Sequence, residues 1–264
     1  MKVKIIQKRA KSIFTKTKIA GIKYTINQYV GCLHSCLYCY AKYLCQWKQY
    51  GKWGTWVEVK INAPELVRGK FVKGEVFMST ASDPYQFIEK EIELTKKVLT
   101  NMNKNVKLSI LTKSNLVLRD VDLFKKFKNI SVGLTLNGFK GRLKKILEPF
   151  SPTHTQRVQA LQQLSESKID TFISISPIMP ELVDVEQIIN DTKDFTKYYI
   201  LETLNLKLSG KTFVNFLIEN YPEIYRILTN PERFKKFTKE LNEVIKKFNI
   251  KAELIKHSHF LVTF

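Results

Sequence analysis

Short apolar segments alternate with amphipathic helical patterns along most of this 264-residue chain. Apolar runs bounded by turn residues predict six strands, at residues 24–31, 75–79, 106–111, 130–136, 170–176 and 198–202. Helical periodicity between these runs predicts four helices, at residues 89–101, 119–127, 153–165 and 185–195. Apolar strands that alternate with helices are typical of a parallel sheet covered by helices. We therefore predict an α/β fold, a partial (β/α)6 barrel whose functional site lies at the carboxyl ends of the strands.

The pattern changes after residue 210. We predict a core over residues 1–210, which includes a basic N-terminal segment, and a C-terminal extension over residues 211–264 that packs on the same domain. The extension has helical patterns at 213–219 and 233–247 and short strand patterns at 254–255 and 260–262. It either closes the bottom of the barrel or caps the substrate side. The mostly polar residues 58–74 indicate an excursion before the second strand, and Asp120 and Thr153 are expected to start helices.

Positive charge dominates the chain. It has 44 Lys and Arg against 24 Asp and Glu, a formal net charge of +20, while 44% hydrophobic residues exclude a disordered polycation. Residues 1–57 contain 11 basic residues and no acid. This segment is either a solvated basic face or a surface for a polyanion such as nucleic acid. Four aromatic residues within it either stack on bases or are core or lid residues: Trp47, Tyr50, Trp53 and Trp56.

The sequence shows no apolar run long enough to span a membrane and no signal-peptide pattern. We therefore expect a cytoplasmic protein without a membrane partner.

All four cysteines lie within 14 residues, at Cys32, Cys36, Cys39 and Cys45. Disulfides between residues so close in sequence are strained, and they are rare inside cells. A structural zinc site needs four ligands, so Cys45 or His34 would have to complete it from the same short loop. Three thiolates at the spacing Cys32-x3-Cys36-x2-Cys39 suit a [4Fe–4S] cluster that keeps one iron without a protein ligand. The spacing favours the iron–sulfur cluster over zinc.

This CxxxCxxC motif, with Tyr38 before the third cysteine, resembles the radical S-adenosylmethionine (SAM) superfamily. The sequence on either side of the motif is similar to the family around spore photoproduct lyase, also called DNA-repair-photolyase-like. The similar segments are Asn-Gln-Tyr-Val-Gly-Cys at 27–32 and Tyr-Ala-Lys at 40–42. Further matches follow in order at residues 79–86, 111–114, 132–137, 148–149, 157 and 176–180.

The resemblance implies two cofactors and a radical reaction. Cys32, Cys36 and Cys39 would hold the [4Fe–4S] cluster, whose open iron chelates SAM. An external one-electron donor would reduce the cluster, and reductive cleavage of SAM would give a 5′-deoxyadenosyl radical that abstracts hydrogen. The cofactors carry this chemistry, and the protein supplies position, electrostatics and a dry site.

The resemblance also implies contacts to SAM, each with a structural alternative. Tyr38 would lie near the adenine or anchor the loop. Ser82 and Asp83 would meet the amino group or the ribose, although Asp-Pro also favours a turn. Lys113 would pair with the carboxylate. Thr135 and Asn137 would bind the ribose, unless Asn137 only forms a turn with Gly138.

The remaining polar candidates are assigned more weakly, and the sequence identifies no catalytic residue. Arg157 is either a cation of the site or the structural partner of Glu148. His34 is expected to shape the loop without binding a metal. His257 and His259 alternate on a predicted strand as weak metal candidates.

Spore photoproduct lyases proper carry a cysteine near the end of the second strand that returns hydrogen to the product radical. This chain has Thr80-Ala81-Ser82 there, and Cys45 is its only other thiol. We therefore carry three hypotheses: a radical SAM enzyme acting on nucleic acid as a repair-type lyase or a modifier, a radical SAM enzyme acting on a protein or small molecule, and a non-catalytic metal-cluster module that binds nucleic acid.

Overall fold

The computed structural model describes residues 3–48 and 50–258 and arranges most of their strands in one sheet. The strands are β1 (Lys4–Lys8), β2 (Phe14–Lys16), β3 (Ile22–Ile26), β4 (Tyr29–Val30), β5 (Trp56–Lys60), β6 (Glu75–Met78), β7 (Lys107–Thr112), β8 (Ile130–Leu136), β9 (Asp170–Ile178), β10 (Tyr198–Thr203) and β11 (Ala252–Ile255). The helices are α1 (Ala41–Leu44), α2 (Ala63–Val67), α3 (Glu89–Ile92), α4 (Leu94–Asn101), α5 (Val121–Phe124), α6 (Gly141–Leu147), α7 (His154–Glu166), α8 (Val185–Asn190), α9 (Leu206–Ser209), α10 (Lys211–Asn220), α11 (Pro222–Thr229) and α12 (Pro231–Lys247). Short 3-10 helices span Asn115–Asp120 and Lys193–Phe195.

The main sheet has eight strands in the order β11-β10-β9-β8-β7-β6-β3-β2. Neighbouring strands from β3 to β11 are parallel, and β2 pairs antiparallel with β3 at one end. Strands β8 and β9 are buried along almost their whole length, as expected when both faces of a sheet are covered. The structure therefore confirms the predicted α/β class with a mostly parallel sheet.

The first predicted strand, over residues 24–31, is divided between two sheets. Its first half is β3 in the main sheet, and its second half is β4 in a three-stranded sheet of order β1-β5-β4. The polar excursion predicted over 58–74 lies outside the main sheet, and about half of it is regular structure, namely the end of β5 and the whole of α2. Glu58 points inward at 5% exposure because it forms an ion pair with Lys48.

Helix ends follow hydrogen-bonding opportunities that the sequence shows only in part. Thr153 caps α7 in a reciprocal capping box with Gln156, as predicted. Asp120 stands at the N-cap position of α5, as predicted, but its side chain makes no capping hydrogen bond because its carboxylate accepts hydrogen bonds from Arg119 and Tyr85. The helix predicted over 89–101 breaks into α3 and α4, since the buried Glu89 carboxylate accepts the backbone N–H of Thr95 at the start of α4.

The C-terminal extension forms α10, α11, α12 and β11, and β11 lengthens the main sheet beside β10. Near the start of α10, the Phe213 ring lies 6.1 Å from the Tyr38 ring, measured between centroids. This contact brings part of the extension to the loop that carries the cysteines. The strand predicted at 260–262 and His259 lie outside the described residues. Over the described chain, no helix combines the length and apolar character needed to cross a membrane.

Candidate active site

Cys32, Cys36 and Cys39 lie in the loop between β4 and α1, called here the cysteine loop (residues 31–40). All three thiols are free, and Cys32 and Cys36 are 8% and 6% exposed. The buried Gln86 side chain fixes the loop by two hydrogen bonds: its Oε1 accepts the Leu33 N–H at 2.8 Å, and its Nε2 donates to the Gly31 carbonyl at 3.3 Å. The motif residues at 79–86 therefore hold the cysteine loop in place.

Two glycines let neighbouring segments approach the cysteine loop closely. A Cβ at Gly31, where φ is +85°, would lie 2.7 Å from the Trp56 ring and 2.8 Å from the Trp56 carbonyl oxygen. A Cβ at Gly54 would lie 2.2 Å from the Ser35 Oγ. The loop is thus packed between Trp56 and the turn at Gly54, and only glycine fits at these two positions.

The three thiols border one cavity, called here the active-site cavity, at the carboxyl ends of β6 to β10. Its other polar lining residues are His34, Tyr38, Tyr40, Ser79, Thr80, Ser82, Asp83, Thr112, Lys113, Thr135, Ser174, Ser176, Glu202, Thr203 and Asn205. Five of the six residues that the sequence predicts to contact SAM line this cavity with the thiols, which agrees with the expectation that the site occupies this end of the sheet.

Burial and neighbouring charge control protonation in this cavity. Burial raises the pKa of all three thiols, with Asp83 adding to the effect at Cys32 and Glu148 at Cys36, whose pKa rises to about 12. Burial lowers the pKa of Lys113, but Cys36 and Glu148 outweigh it and leave that pKa raised. Lys113 therefore supplies a positive charge beside the thiols, and the described residues offer it no carboxylate oxygen within ion-pair distance.

The donor set fits the cluster that the sequence predicts. Among the described residues, no three His, Cys, Asp or Glu side chains stand where they could share a single metal ion. A cubane cluster does not require the ligands to meet at one ion, because each cysteine binds a different iron of the cluster. Three thiols around a cavity that also contains the Lys113 cation suit an anionic cluster with one open iron and a cofactor that carries a carboxylate.

Tyr38 belongs to a buried network behind the cavity wall. Its hydroxyl donates to Glu148, and the Asn137 amide donates to the same carboxylate at 2.9 Å. Arg157 forms an ion pair with Glu148 and donates to the Thr135 carbonyl at 2.9 Å. Burial would raise the pKa of Glu148, but Arg157 and Lys113 hold it far below its usual range.

This network shows which partners two of the sequence-predicted candidates have within the chain. Arg157 is the structural partner of Glu148, and it is 2% exposed. Asn137 points its amide into the network and is absent from the cavity lining, so it does not contact the cavity as a ribose ligand would. Thr135 lines the cavity, and its contact with the ribose stays a prediction.

Asp83 lines the cavity but is largely satisfied within the chain. Its carboxylate accepts hydrogen bonds from Thr112 Oγ1 at 2.6 Å and from the backbone N–H groups of Tyr85 and Lys113 at 2.8 and 2.7 Å. Burial raises its pKa, but His34 and these hydrogen bonds outweigh burial and lower it to about 2. Asp83 therefore ties the end of β6 to the end of β7 as a permanent anion.

Ser82 and His34 also have partners that fix them. The Ser82 hydroxyl donates to the Tyr29 carbonyl at 3.0 Å. His34 lies with Nδ1 3.2 Å from the Phe150 carbonyl and Nε2 3.4 Å from Asp83, the latter without hydrogen-bond geometry. Both residues shape the wall of the cavity.

The sequence analysis missed a second polar group on the opposite wall. The Glu202 carboxylate accepts a hydrogen bond from Ser176 at 2.7 Å and lies 2.9 Å from His257 Nε2. Asn205 contacts the other ring nitrogen of His257 at 3.3 Å. Glu202 and Ser176 are polar residues at the ends of predicted strands, so the rule that selected Lys113 would have found them. His257 pairs here with a carboxylate and does not belong to a metal site among the described residues.

A family model and several relatives match this chain. The model described as the radical SAM superfamily matches residues 26–192, which is more than half of the chain. An uncharacterized protein of Methanocaldococcus jannaschii is 52% identical over 249 residues, covering 94% of this chain and 96% of that protein. An uncharacterized protein of Mycobacterium bovis is 29% identical over 174 residues, covering 61% of this chain and 51% of that protein.

Solved structures of spore photoproduct lyase share the fold. A variant with bound AdoMet and dinucleoside spore photoproduct superposes with a TM-score of 0.69 over 96% of this chain and 82% of that one, at 14% sequence identity. A complex with the dinucleoside spore photoproduct gives a TM-score of 0.67 with the same coverage and identity. At this identity the likeness concerns the fold alone.

Proposed function

The chain belongs to the radical SAM superfamily, and from that premise we propose that it is an enzyme that uses SAM to abstract hydrogen from a nucleic-acid substrate. Membership brings a [4Fe–4S] cluster and SAM as cofactors. The observation that carries the proposal is the placement of three free thiols, two of them buried, and the Lys113 cation around one cavity at the carboxyl ends of the sheet.

Each lining residue has a role in this proposal. Cys32, Cys36 and Cys39 hold the cluster as thiolates, so loading it displaces the protons that burial keeps on the thiols. Lys113 offsets the negative charge of the cluster and pairs with the SAM carboxylate. Tyr38, whose hydroxyl donates to Glu148, forms a rigid wall beside the bound SAM. When bound, the cofactors supply one-electron cleavage of SAM and the 5′-deoxyadenosyl radical that removes hydrogen from the substrate.

The positive charge near the site supports a nucleic-acid substrate. Residues 1–57 carry 11 basic residues and no acid, and of those in the described chain only Arg9 and Lys48 form ion pairs. The fold is shared with a spore photoproduct lyase that binds a dinucleoside. An external one-electron donor is part of the same proposal.

The cavity does not favour the thiol route of spore photoproduct lyases. The end of β6 carries Thr80 and Ser82 where those enzymes have a cysteine, and Cys45 is buried away from the cavity lining. The proposed reaction is therefore a repair-type cleavage or a modification that does not use a fourth cysteine.

The test compares two cysteine variants after anaerobic reconstitution, dithionite reduction and incubation with SAM. The wild-type protein should be brown and form 5′-deoxyadenosine. Cys36→Ala should lose both properties, because Cys36 is one of three ligands. Cys45→Ala, a change of the same size outside the cavity lining, should keep both. Absence of 5′-deoxyadenosine with the loaded wild-type protein would refute the enzymatic proposal.

A further inference from the structure

The short helix that follows the cysteine loop exposes an apolar face. Tyr40, Tyr43, Leu44 and Trp47 are 41%, 46%, 49% and 70% exposed. Their spacing of three, four and seven residues from Tyr40 places them on one side of a helix. Hydrogen bonds from Cys45 N to Ala41 O at 3.0 Å and from Lys48 N to Cys45 O at 2.9 Å continue the helical turns past α1. We call Tyr43, Leu44 and Trp47 the aromatic platform.

The platform is continuous with the active-site cavity. Tyr40 and Ala41, at the start of the same helical segment, line the cavity, and the Tyr40 hydroxyl donates to the Thr80 carbonyl at 2.5 Å. A ligand that leaves the cavity past Tyr40 meets the platform next. A substrate must enter the cavity, so the part of it that stays outside is placed to contact the platform. A partner that only delivers electrons does not need to enter the cavity and has no such reason to lie there.

The surroundings of the platform carry positive charge. The Lys48 ammonium lies 4.2 Å from the centre of the Trp47 ring, and the Lys4 ammonium lies 5.8 Å from the centre of the neighbouring Tyr50 ring. Glu58, the first acid in the sequence, is buried and paired with Lys48. This pair neutralises Lys48, so Lys4 is the lysine of the two that has no ion-pair partner among the described residues. Exposed aromatic rings with an unpaired lysine nearby match a strand that has flat apolar bases and anionic phosphates.

The other aromatic residues of this segment are not available for stacking. Tyr50 and Trp53 pack edge-on against Trp56, with centroids 5.2 and 6.1 Å from its ring. Trp56 is 2% exposed and closes over Gly31. Of the four aromatics in this segment that the sequence offered as stacking candidates, the structure leaves Trp47.

We propose that the aromatic platform binds unpaired nucleobases that flank the nucleotide in the active-site cavity. This inference rests on the proposed function and narrows the substrate to single-stranded or locally unpaired nucleic acid, since bases inside a duplex cannot reach the rings. Trp47 and Tyr43 stack on the bases, and the exposed Lys4 contacts a phosphate.

The test measures the affinity of anaerobic, cluster-loaded protein for fluorescein-labelled 12-mers of deoxythymidine, of uridine and of an abasic backbone, and for a DNA hairpin. Comparison of the deoxythymidine and uridine 12-mers shows whether the unpaired bases belong to DNA or to RNA. Base stacking is worth about 1–3 kcal/mol per base, so Trp47→Ala should weaken binding of the better base-containing strand about 5- to 150-fold. It should leave abasic-strand binding unchanged, and Trp47→Phe should restore most of the lost affinity.

Phe71→Ala is the matched control, because Phe71 is 60% exposed and precedes β6 at the opposite end of the sheet. Circular dichroism and iron content report whether each variant is folded and loaded. The platform proposal is wrong if Trp47→Ala and wild type bind the base-containing strands with equal affinity. It is also wrong if Trp47→Ala loses as much affinity for the abasic strand as for the base-containing strands, or if wild type binds the hairpin more tightly than the single strands. If wild type forms 5′-deoxyadenosine but binds none of the strands, the nucleic-acid substrate itself is wrong. Loss of 5′-deoxyadenosine formation by wild type marks failure of the enzymatic proposal instead.

Discussion

At the scale of single residues, the site depends on buried charges that neutralise one another. Glu148 is joined to Arg157, Tyr38, Asn137 and Ser151, so one carboxylate positions the wall of the cavity. The Glu148–Arg157 ion pair adds little to folding stability when it is compared with two apolar residues in the same place. Removing one of the two residues, however, leaves a buried charge without a partner and is strongly destabilising. The role of Glu148 is therefore to hold Tyr38 and Arg157 in place.

Replacement of Glu148 tests this role through stability and its dependence on pH. Glu148→Gln should lower the free energy of unfolding at pH 7 by about 3–5 kcal/mol, because Arg157 loses its counter-charge. The folded state lowers the pKa of Glu148, so its contribution is present above the ordinary glutamate pKa and disappears as the pH falls. Urea unfolding of metal-free protein should thus show a difference between wild type and variant that shrinks below about pH 4.

The control for that measurement is Glu223→Gln, which breaks an exposed ion pair with Arg233. It should cost less than about 1 kcal/mol. Similar losses in both variants would contradict the role assigned to Glu148.

At the scale of secondary structure, the cysteine loop owes its shape to the elements packed around it. Gln86 fixes two of its backbone groups, and the Leu37 N–H donates to the Leu147 carbonyl at 2.9 Å at the end of α6. Gly31 permits contact with Trp56 on β5. The loop is thus prepared for its ligand by contacts to segments distant in sequence.

A pair of glycine variants separates close packing from backbone strain. Gly31→Ala should reduce iron bound per chain after reconstitution, because its Cβ collides with Trp56. Gly69→Ala imposes a similar left-handed strain, with φ of +69° against +85°, but its Cβ meets no atom within 4 Å. It should bind iron like wild type. Equal iron loss in both variants would show that packing against Trp56 does not shape the loop.

At the scale of the whole molecule, exposed lysines lie on the segments next to β5, the strand that packs against the cysteine loop through Trp56. Lys4 lies on β1, which pairs with β5, and Lys52 lies four residues before Trp56. The described residues give neither lysine an ion pair. These lysines are expected to contact phosphates of a bound strand.

Neutralising two of these lysines should change how binding depends on salt. A phosphate contact to a single strand contributes about 0.7 to the slope of log Kobs against log salt, so Lys4→Gln with Lys52→Gln should reduce the slope by about 1.4. Lys126→Gln with Lys128→Gln removes two exposed charges near the amino end of β8 and should leave the slope unchanged. If both double variants reduced the slope of log Kobs against log salt equally, the total charge of the protein and not the position of Lys4 and Lys52 would control binding.

The sequence by itself determined the fold class, the cysteine triad and the end of the sheet where the site lies. Apolar strands alternating with helices are a local pattern, and ligand spacing in a short loop is local too, so both can be read without the fold. Capping by Thr153 was equally predictable, since a capping box involves residues three apart.

Only the tertiary structure decided which polar residues face the cavity and which support it. Asn137 and Arg157 turn to Glu148, whereas Glu202 reaches the cavity with His257, 55 positions away in sequence. Each of these side chains can either bind a ligand or satisfy a buried charge. The choice depends on partners that only folding brings within hydrogen-bond distance, which is why sequence patterns could not make it.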